Sequence, residues 1–397
     1  MALKKYFRLV FSGRIFLLAL GLGLFSIIRI LRPFLKIRVG HFHERIGESA
    51  SRIEFYLRLK AKNAVSVSGK HVLFISHKVN SQLIKMAKRR VPLTVLNETA
   101  DWAYKKIRSL TLKSEIWLEL PHFEYFHREV DDIPPQLFFT VEEEAKGQEL
   151  LKGMGIKPGS PFVCMHARDK AYLEKIFPVH SREHWAYHDF RDNNVFNYLT
   201  SAKYLAGLGI YVLRMGHVIE QELKSNDPMI IDYATHHRSD FGDIYLSAKC
   251  KFFIGSEGGL IVVPWIFNVP VVYTNRIPVC GISVSGKLDV LIHKKLWSAA
   301  EKRFLTFRQI LAMGADKWFR GEQYRQAGIE IIENTPDEIL AAVKEMNARL
   351  DGKWKETTEG EELQQRYREI IPKEYHGRGF LAPVSSHYLR ANKFLLN

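Results

Sequence analysis

Apolar residues in this chain gather in short unbroken runs, and between the runs they recur at helical spacing. Residues 71–76 (H-V-L-F-I-S), 94–96, 161–166, 210–213, 229–232, 251–254, 270–274 and 329–333 are runs too short for a helix. A run apolar at successive positions suits a strand buried on both faces, as in a parallel sheet. Residues 37–40 and 115–120 read as further strands, and 288–292 as one more apolar run. Residues 51–59, 81–90, 97–107, 141–154, 195–208, 240–249, 335–350, 359–371 and 385–394 carry the helical pattern. Strands alternating with helices predict an α/β fold. The clearest linker is D-D-I-P-P at residues 131–135. A chain of 397 residues has room for about two domains. The expected division is an N-terminal segment 1–36, a first α/β domain 37–137, a second 138–384 and a last helix 385–397.

The densest pattern spans residues 239–274. Helix 240–249 buries Phe241, Ile244, Tyr245 and Ala248, strand 251–254 follows, and Gly255, Ser256, Glu257, Gly258 and Gly259 make a loop. Residues 260–267 read as an apolar helix, Asn268 as a turn and 270–274 as a strand. Glycines before a helix N-terminus let an anion approach unpaired N–H groups. G-S-E-G-G matches neither the Walker loop nor G-x-G-x-x-G. The loop is either a tight strand-to-helix turn or a diphosphate cradle. Glu257, a carboxylate between glycines, suits hydrogen bonds to sugar hydroxyls.

Residues 15–28 (I-F-L-L-A-L-G-L-G-L-F-S-I-I) are uncharged and lie between Arg14 and Arg29. The run is shorter than the roughly 18 residues of a span. It reads either as an in-plane or re-entrant anchor on anionic lipid, or as a buried first helix. Since the expected strands begin after it, the core should not need it. Eight of the net fifteen positive charges fall in residues 1–38, where there is no acid, which leaves a mildly basic body. The basic residues do not alternate with aromatics as in a nucleic-acid groove, so nucleic acid is not an expected partner. Cys164, Cys250 and Cys280, without C-x-x-C, indicate a reducing compartment and no zinc site.

Several strand ends carry candidate chemistry. F-V-C-M-H-A-R-D-K runs a buried strand into His166, Arg168, Asp169 and Lys170, where open α/β sheets bind ligands. Arg168 can hold phosphate with two hydrogen bonds. Y-V-L-R-M-G-H repeats the logic with Arg214 and His217, and I-I-D-Y-A ends on Asp232 and Tyr233, with Asp240 at the next helix start. Asp232 either meets base or ribose groups or caps a turn. Residues 169–193, long and polar, read as a functional loop or lid. In the first domain, His41, His43 and Glu44 follow a short strand; each is either a proton acceptor for an acceptor hydroxyl or part of a polar helix start.

R-V-G-H-F (38–42), M-H-A-R-D (165–169), V-L-R-M-G (212–216), D-Y-A (232–234), the stretch 239–255 and I-E-N-T (332–335) resemble an uncharacterised family of bacterial glycosyltransferases encoded with surface-polysaccharide genes. H-A-R and the stretch after it also resemble fucosyltransferase-like enzymes of GT-B architecture. That resemblance implies two Rossmann-like domains facing across a cleft, with residues 385–397 crossing back to the first. It implies a donor-diphosphate role for Arg168. If the strand ends are neighbours in one sheet, His166, Arg168, Asp169, Lys170, Arg214, His217, Asp232, Tyr233, Asp240 and the 255–259 loop are expected to surround a nucleotide diphosphate. S-E-G-G-L is similar to the E-G-F-G motif of retaining enzymes, which implies a donor contact for Glu257. The expected function is metal-independent transfer of a sugar from a nucleotide-sugar to a glycan or lipid-linked acceptor. The donor is a substrate and no cofactor is expected; the expected place is the cytoplasmic face of the inner membrane. The rival reading is a non-catalytic peripheral membrane protein that binds anionic lipid or polysaccharide.

Overall fold

The computed structural model describes the chain except Met1, His43 and residues 120–129, 131, 177–184, 281–285, 287, 373–374 and 376–381, and describes side chains from residue 13 onward save Leu173 and Ile176. It divides into two compact units, Met1–Phe138 and Phe139–Asn397, one residue from the expected boundary.

The first unit is built on three parallel strands, β1 (Ile37–Phe42), β2 (Lys70–Ser76) and β3 (Leu93–Leu96), in that spatial order. The expected strand at 115–120 reduces to a bridge, with Trp117 opposite Val39 on the far side of β1. Helices Ile46–Ala61, Ser81–Lys88 and Glu98–Leu110 cover the sheet. Asn80 and Asn97 cap the last two with their side chains, each accepting from N–H groups the first turn leaves unpaired. Glu54, buried, takes Nε of Arg58 at 2.7 Å and the amides of Gln136 and Leu137, tying the linker to its helix.

The N-terminal residues are a single helix, Ala2–Leu35. Its stretch Gly13–Leu35, mean hydropathy 2.1, is long and apolar enough to cross a membrane, which the shorter run 15–28 had concealed. It is not a separate segment. Leu18, Leu22, Phe25 and Ile28 pack on Val39, Leu96, Tyr104, Ile107, Ile116 and Trp117. A Cβ on Gly21 would fall 2.3 Å from the Ile107 side chain, so the glycine permits the close approach. Arg14 lies over the Trp102 ring at 5.4 Å, and Arg32 pairs with Glu115. Removing the helix would therefore bare an apolar face, contrary to the expectation that the core does not need it.

The second unit holds a six-stranded parallel sheet: β4 (Phe162–His166), β5 (Tyr211–Arg214), β6 (Ile230–Ile231), β7 (Phe253–Gly255), β8 (Val271–Arg276) and β9 (Val290–His293). Its order, β6-β5-β4-β7-β8-β9, is that of a doubly wound sheet, reversing direction between β4 and β7. Val384 bridges Leu291 beyond β9. A small antiparallel sheet joins β10 (Lys295–Ser298), β11 (Arg303–Phe304) and β12 (Ile329–Ile332), with β10 central; of these, sequence pattern indicates only β12. The C-terminal residues fall within this second unit. Helix Ser386–Ala391 follows Ser385, whose hydroxyl donates to buried Glu345 at 2.8 Å, and Tyr388 donates to the His293 carbonyl at 3.0 Å.

Candidate functional site

The carboxyl edge of the six-stranded sheet is where its loops part. The chain leaves β4 toward β5 and leaves β7 toward β8, so a crevice opens at the reversal. The two loops touch at its base, the Arg168 amide donating to Ser256 Oγ at 3.3 Å. A Cβ on Gly255 would sit 3.1 Å from the Phe253 ring and 3.2 Å from the His166 carbonyl, so packing of β7 on β4 explains this glycine. At Gly258 a Cβ would meet only ordinary contacts, the nearest at 3.6 Å on the His166 ring. Gly259 is exposed, and Glu257 is half-buried. Burial, and after it the Glu257 charge, raises the Tyr324 phenol, which places the carboxylate near that ring.

The helix after the loop is shorter than the expected 260–267. It spans Val262–Ile266, contains Pro264 and has no side-chain cap. So few aligned peptides make a weak dipole, and the anion-binding argument from this helix end lapses. What the edge offers instead is side chains.

Arg168 is mostly buried and pairs with Asp192. Asp192 belongs to a strap, residues 186–198, built from the 3-10 turns Ala186–Arg191 and Val195–Tyr198. Lys294 pins it, donating to the carbonyls of Phe190 at 3.1 Å and Asp192 at 2.7 Å. The Asn193 amide donates to the Arg168 carbonyl at 2.9 Å and the Asn194 amide to Glu333 at 3.0 Å. The described end of the expected lid is thus tied to the sheet. Burial, then Arg168, brings the Lys294 ammonium down to about 8 against the opposing pull of Glu333.

Between the ends of β4 and β5 lies a pocket of about 260 Å³ whose lining includes Asp169, Asn193, Phe196, Arg214 and Gln221. Arg214 is buried, donating to Asp232 at 3.3 Å and to the Gln221 carbonyl at 3.1 Å. Its Nε has no hydrogen-bond partner among the described residues; neither has Oδ1 of buried Asn193 nor Nδ1 of His166. Arg214 and Asn193 both line the pocket, so a polar ligand there could satisfy their unpaired atoms. Burial, then the charges of Arg214 and Arg168, lowers His166 to about 3. His166 is therefore neutral near pH 7, a hydrogen-bonding group rather than a cation.

The remaining candidates are used within the fold. Asp169 accepts from the amides of Ala171 and Glu220, each at 3.0 Å, and burial raises its carboxyl. Lys170 pairs with Glu220 at 3.0 Å. Asp232 caps helix Tyr233–His236 and takes the Leu223 amide at 2.8 Å, which is the capping alternative. Tyr233, fully buried, has the Ser239 carbonyl at 2.9 Å and Asp243 at 3.1 Å as alternative acceptors for its one hydroxyl proton, and Asp240 pairs with Arg238. None of these last three lines the pocket. His217 lies 5.7 Å from the Tyr172 ring, its pKa lowered by burial and then by Arg238.

In the first unit, His41 sits one residue before the carboxyl end of β1 and stacks on Tyr104 at 4.7 Å. Its Nε2 lies 2.9 Å from Oδ1 of Asp101, on helix Glu98–Leu110. Lys105 reaches the other Asp101 oxygen at 2.7 Å and Glu44 at 3.0 Å. Burial alone would raise Asp101; the hydrogen bonds from His41 and Lys105 outweigh it and bring the carboxyl to about 2. Of the three candidates here, His41 has an orienting carboxylate, Glu44 is neutralised by lysine and His43 lies outside the described residues. Among the described residues no group of three His, Cys, Asp or Glu is placed to hold a metal. Sequence reading missed Asp101, Asp192, Asn193 and Lys294. Only D-W-A-Y-K, an acid four residues before a lysine, carried a signal.

Comparison with protein-family models finds no match, and comparison with curated proteins finds none. Among solved structures, a family 9 glycosyl transferase from Veillonella parvula DSM 2008 is 10% identical, over 79% of this chain and 97% of its own, with a TM-score of 0.45. E. coli ADP-heptose LPS heptosyltransferase II is 13% identical, over 79% of this chain and 99% of its own, with a TM-score of 0.43. The dodecameric iron-containing heptosyltransferase TibC from enterotoxigenic E. coli H10407, solved with ADP-D-β-D-heptose, is 12% identical, over 79% and 77%, with a TM-score of 0.38.

Proposed function

We propose that the chain is a glycosyltransferase, moving a sugar from a nucleotide-sugar to a hydroxyl of a glycan or lipid-linked acceptor. The observation that carries this reading is the carboxyl edge of the second unit. A pocket beside the strand reversal of a doubly wound sheet is lined by a buried arginine and asparagine with unpaired polar atoms, next to Arg168. Cationic and neutral donors there suit a nucleoside diphosphate. In the reaction the acceptor oxygen bonds to the anomeric carbon as the bond from that carbon to the diphosphate breaks. Arg168 meets the charge on the departing diphosphate, exchanging Asp192 for phosphate oxygens. Arg214 Nε and Asn193 Oδ1 hydrogen-bond the nucleoside part, and Glu257 a sugar hydroxyl.

In the first unit, His41 carries the orienting carboxylate that a proton acceptor for a hydroxyl needs. Asp101 fixes its tautomer and stabilises the imidazolium formed, as a carboxylate at about 2 stays ionised throughout. The test is thermal shift with a panel of nucleoside diphosphates, in EDTA and again with magnesium or manganese. Stabilisation by a diphosphate supports the donor site, since a ligand of the folded state alone raises the melting temperature. Stabilisation only with metal would remove the metal-independent part. No shift under either condition sinks the reading and favours the non-catalytic binder.

A further inference from the structure

The two faces of helix Ala2–Leu35 are unlike. Phe16, Leu20, Leu24, Ile27, Leu31 and Phe34 are each between 41% and 81% exposed. At 3.6 residues per turn they fall within an arc of about 80°. Leu18, Gly21, Leu22 and Phe25 lie on the opposite side with Arg14 and Arg32, the side packed on the first unit. One face is thus committed to protein, and the other is a continuous apolar stripe of large side chains.

The length of the protein contact decides how such a helix can meet a bilayer. It runs from Arg14 on Trp102 to Arg32 on Glu115. At 1.5 Å per residue that is about 27 Å of axis, close to the roughly 30 Å of a hydrocarbon core. A helix crossing while docked would draw Glu115, with 78% of its side chain exposed, and the neighbouring Arg108–Glu119 pair into the hydrocarbon. Charged groups and unpaired loop backbone are not tolerated there. The first 38 residues carry eight basic residues and no acid, the charge an anionic lipid surface attracts.

From these observations we infer that the helix, although long enough to span, lies in the plane of an anionic membrane surface. Its stripe Phe16–Leu20–Leu24–Ile27–Leu31–Phe34 enters the lipid, and its other face holds the first unit against the headgroups. The inference stands apart from the proposed reaction, no step of which uses this helix.

The experiment uses the full chain and sealed vesicles of phosphatidylcholine with or without phosphatidylglycerol. Wild type should sediment with the anionic vesicles. A variant with Leu20→Gln, Leu24→Gln, Ile27→Gln and Leu31→Gln should bind at least about tenfold more weakly, since each change removes buried apolar area from the lipid contact. Its melting temperature should be unchanged, because those side chains do not touch the protein core. Single variants Gly13→Cys and Lys36→Cys then report the two helix ends to a membrane-impermeant thiol reagent, the native Cys164, Cys250 and Cys280 being buried. In-plane binding leaves both ends labelled from outside. Protection of one end only would mean the helix spans and would overturn the inference. So would vesicle binding that the four glutamines leave intact, or a lipid-free dimer that they abolish without any vesicle binding by wild type, which would assign the stripe to a second copy.

Discussion

His41 and His166 occupy matching places, one beside the carboxyl end of β1 and the other closing β4, and they are electrostatic opposites. His166 has two arginines near it and a buried Nδ1, so that burial, Arg214 and Arg168 keep it neutral. His41 has a carboxylate at 2.9 Å, itself held ionised by His41 and Lys105. A histidine with cationic neighbours can share hydrogen bonds with an anion but resists a proton. A histidine on a carboxylate can take one. The local charge, and not the strand end, sets the two histidines apart.

Breaking the His41 side should have the largest effect. His41→Ala, and Asp101→Asn with the hydrogen bond kept, should each lower turnover roughly 10²- to 10⁴-fold, and the double variant should be no worse than His41→Ala. Steady-state release of nucleoside diphosphate measures this. Losses that multiply in the double variant would dissolve the pair.

Next in size, Arg168→Ala should weaken diphosphate binding by about 2–5 kcal/mol, the cost of losing a charge-assisted partner in a desolvated site. Titration calorimetry reads it directly. Wild-type affinity in this variant would move the phosphate elsewhere. The same change removes one of the two charges acting on His166, so its imidazole, followed by NMR, should titrate higher than in wild type.

Histidine neutrality also predicts a stability difference. Burial, then Arg276, holds His293 at about 3, below its ordinary 6.5. The unfolded chain takes up this proton as pH falls through 6.5 and the folded chain does not. Stability present above 6.5 is therefore lost on acidification, at about 1.4 kcal/mol per pH unit. Asp289, raised by burial to about 7, acts in the opposite sense, since its folded form is protonated first. His293→Gln removes one arm, so urea melts should show the variant gaining on wild type by about 1.4 kcal/mol per unit from pH 6.5 to 5. A gap independent of pH would mean that His293 protonates in the folded state. The smallest effect belongs to Gly258→Ala. Its Cβ has ordinary contacts only, so stability should stay within about 0.5 kcal/mol. Diphosphate affinity should fall several-fold if ligand approaches that backbone, and an unchanged affinity would leave the loop as a turn.

The parallel strands were legible because each is an apolar run that ends on polar residues, as at Val163 to His166 and Val212 to Arg214. Arg168, Arg214 and the Gly255 loop were legible for the same reason. The short strands β10 and β11 were not, since K-L-W-S and R-F mix charge with apolar residues and pair only across a fold. The Asp101 contact joins residues 60 positions apart, and the grip of Lys294 on Asp192 joins residues 102 apart, so no local pattern encodes either. Asp232 reads alike as ligand or cap until its neighbours are known. The N-terminal helix misled differently. Its composition is that of a membrane element all round, and only Gly21 and the spacing of Leu18, Leu22 and Phe25 separate the docked face from the free one.

The bridge between Val384 and Leu291 closes the outer side of β9. Leu291 donates to the Pro383 carbonyl at 3.0 Å and accepts from the Ser385 amide at 2.9 Å. Without these residues, Val290, Leu291 and Ile292 would present an unpaired apolar ladder, ready to recruit a strand from another molecule. Residues 383–385 thus act as a stopper on the sheet. A chain cut short there by proteolysis, or released before its final residues are made, would be sticky before it was inactive, and its loss would register first as insolubility.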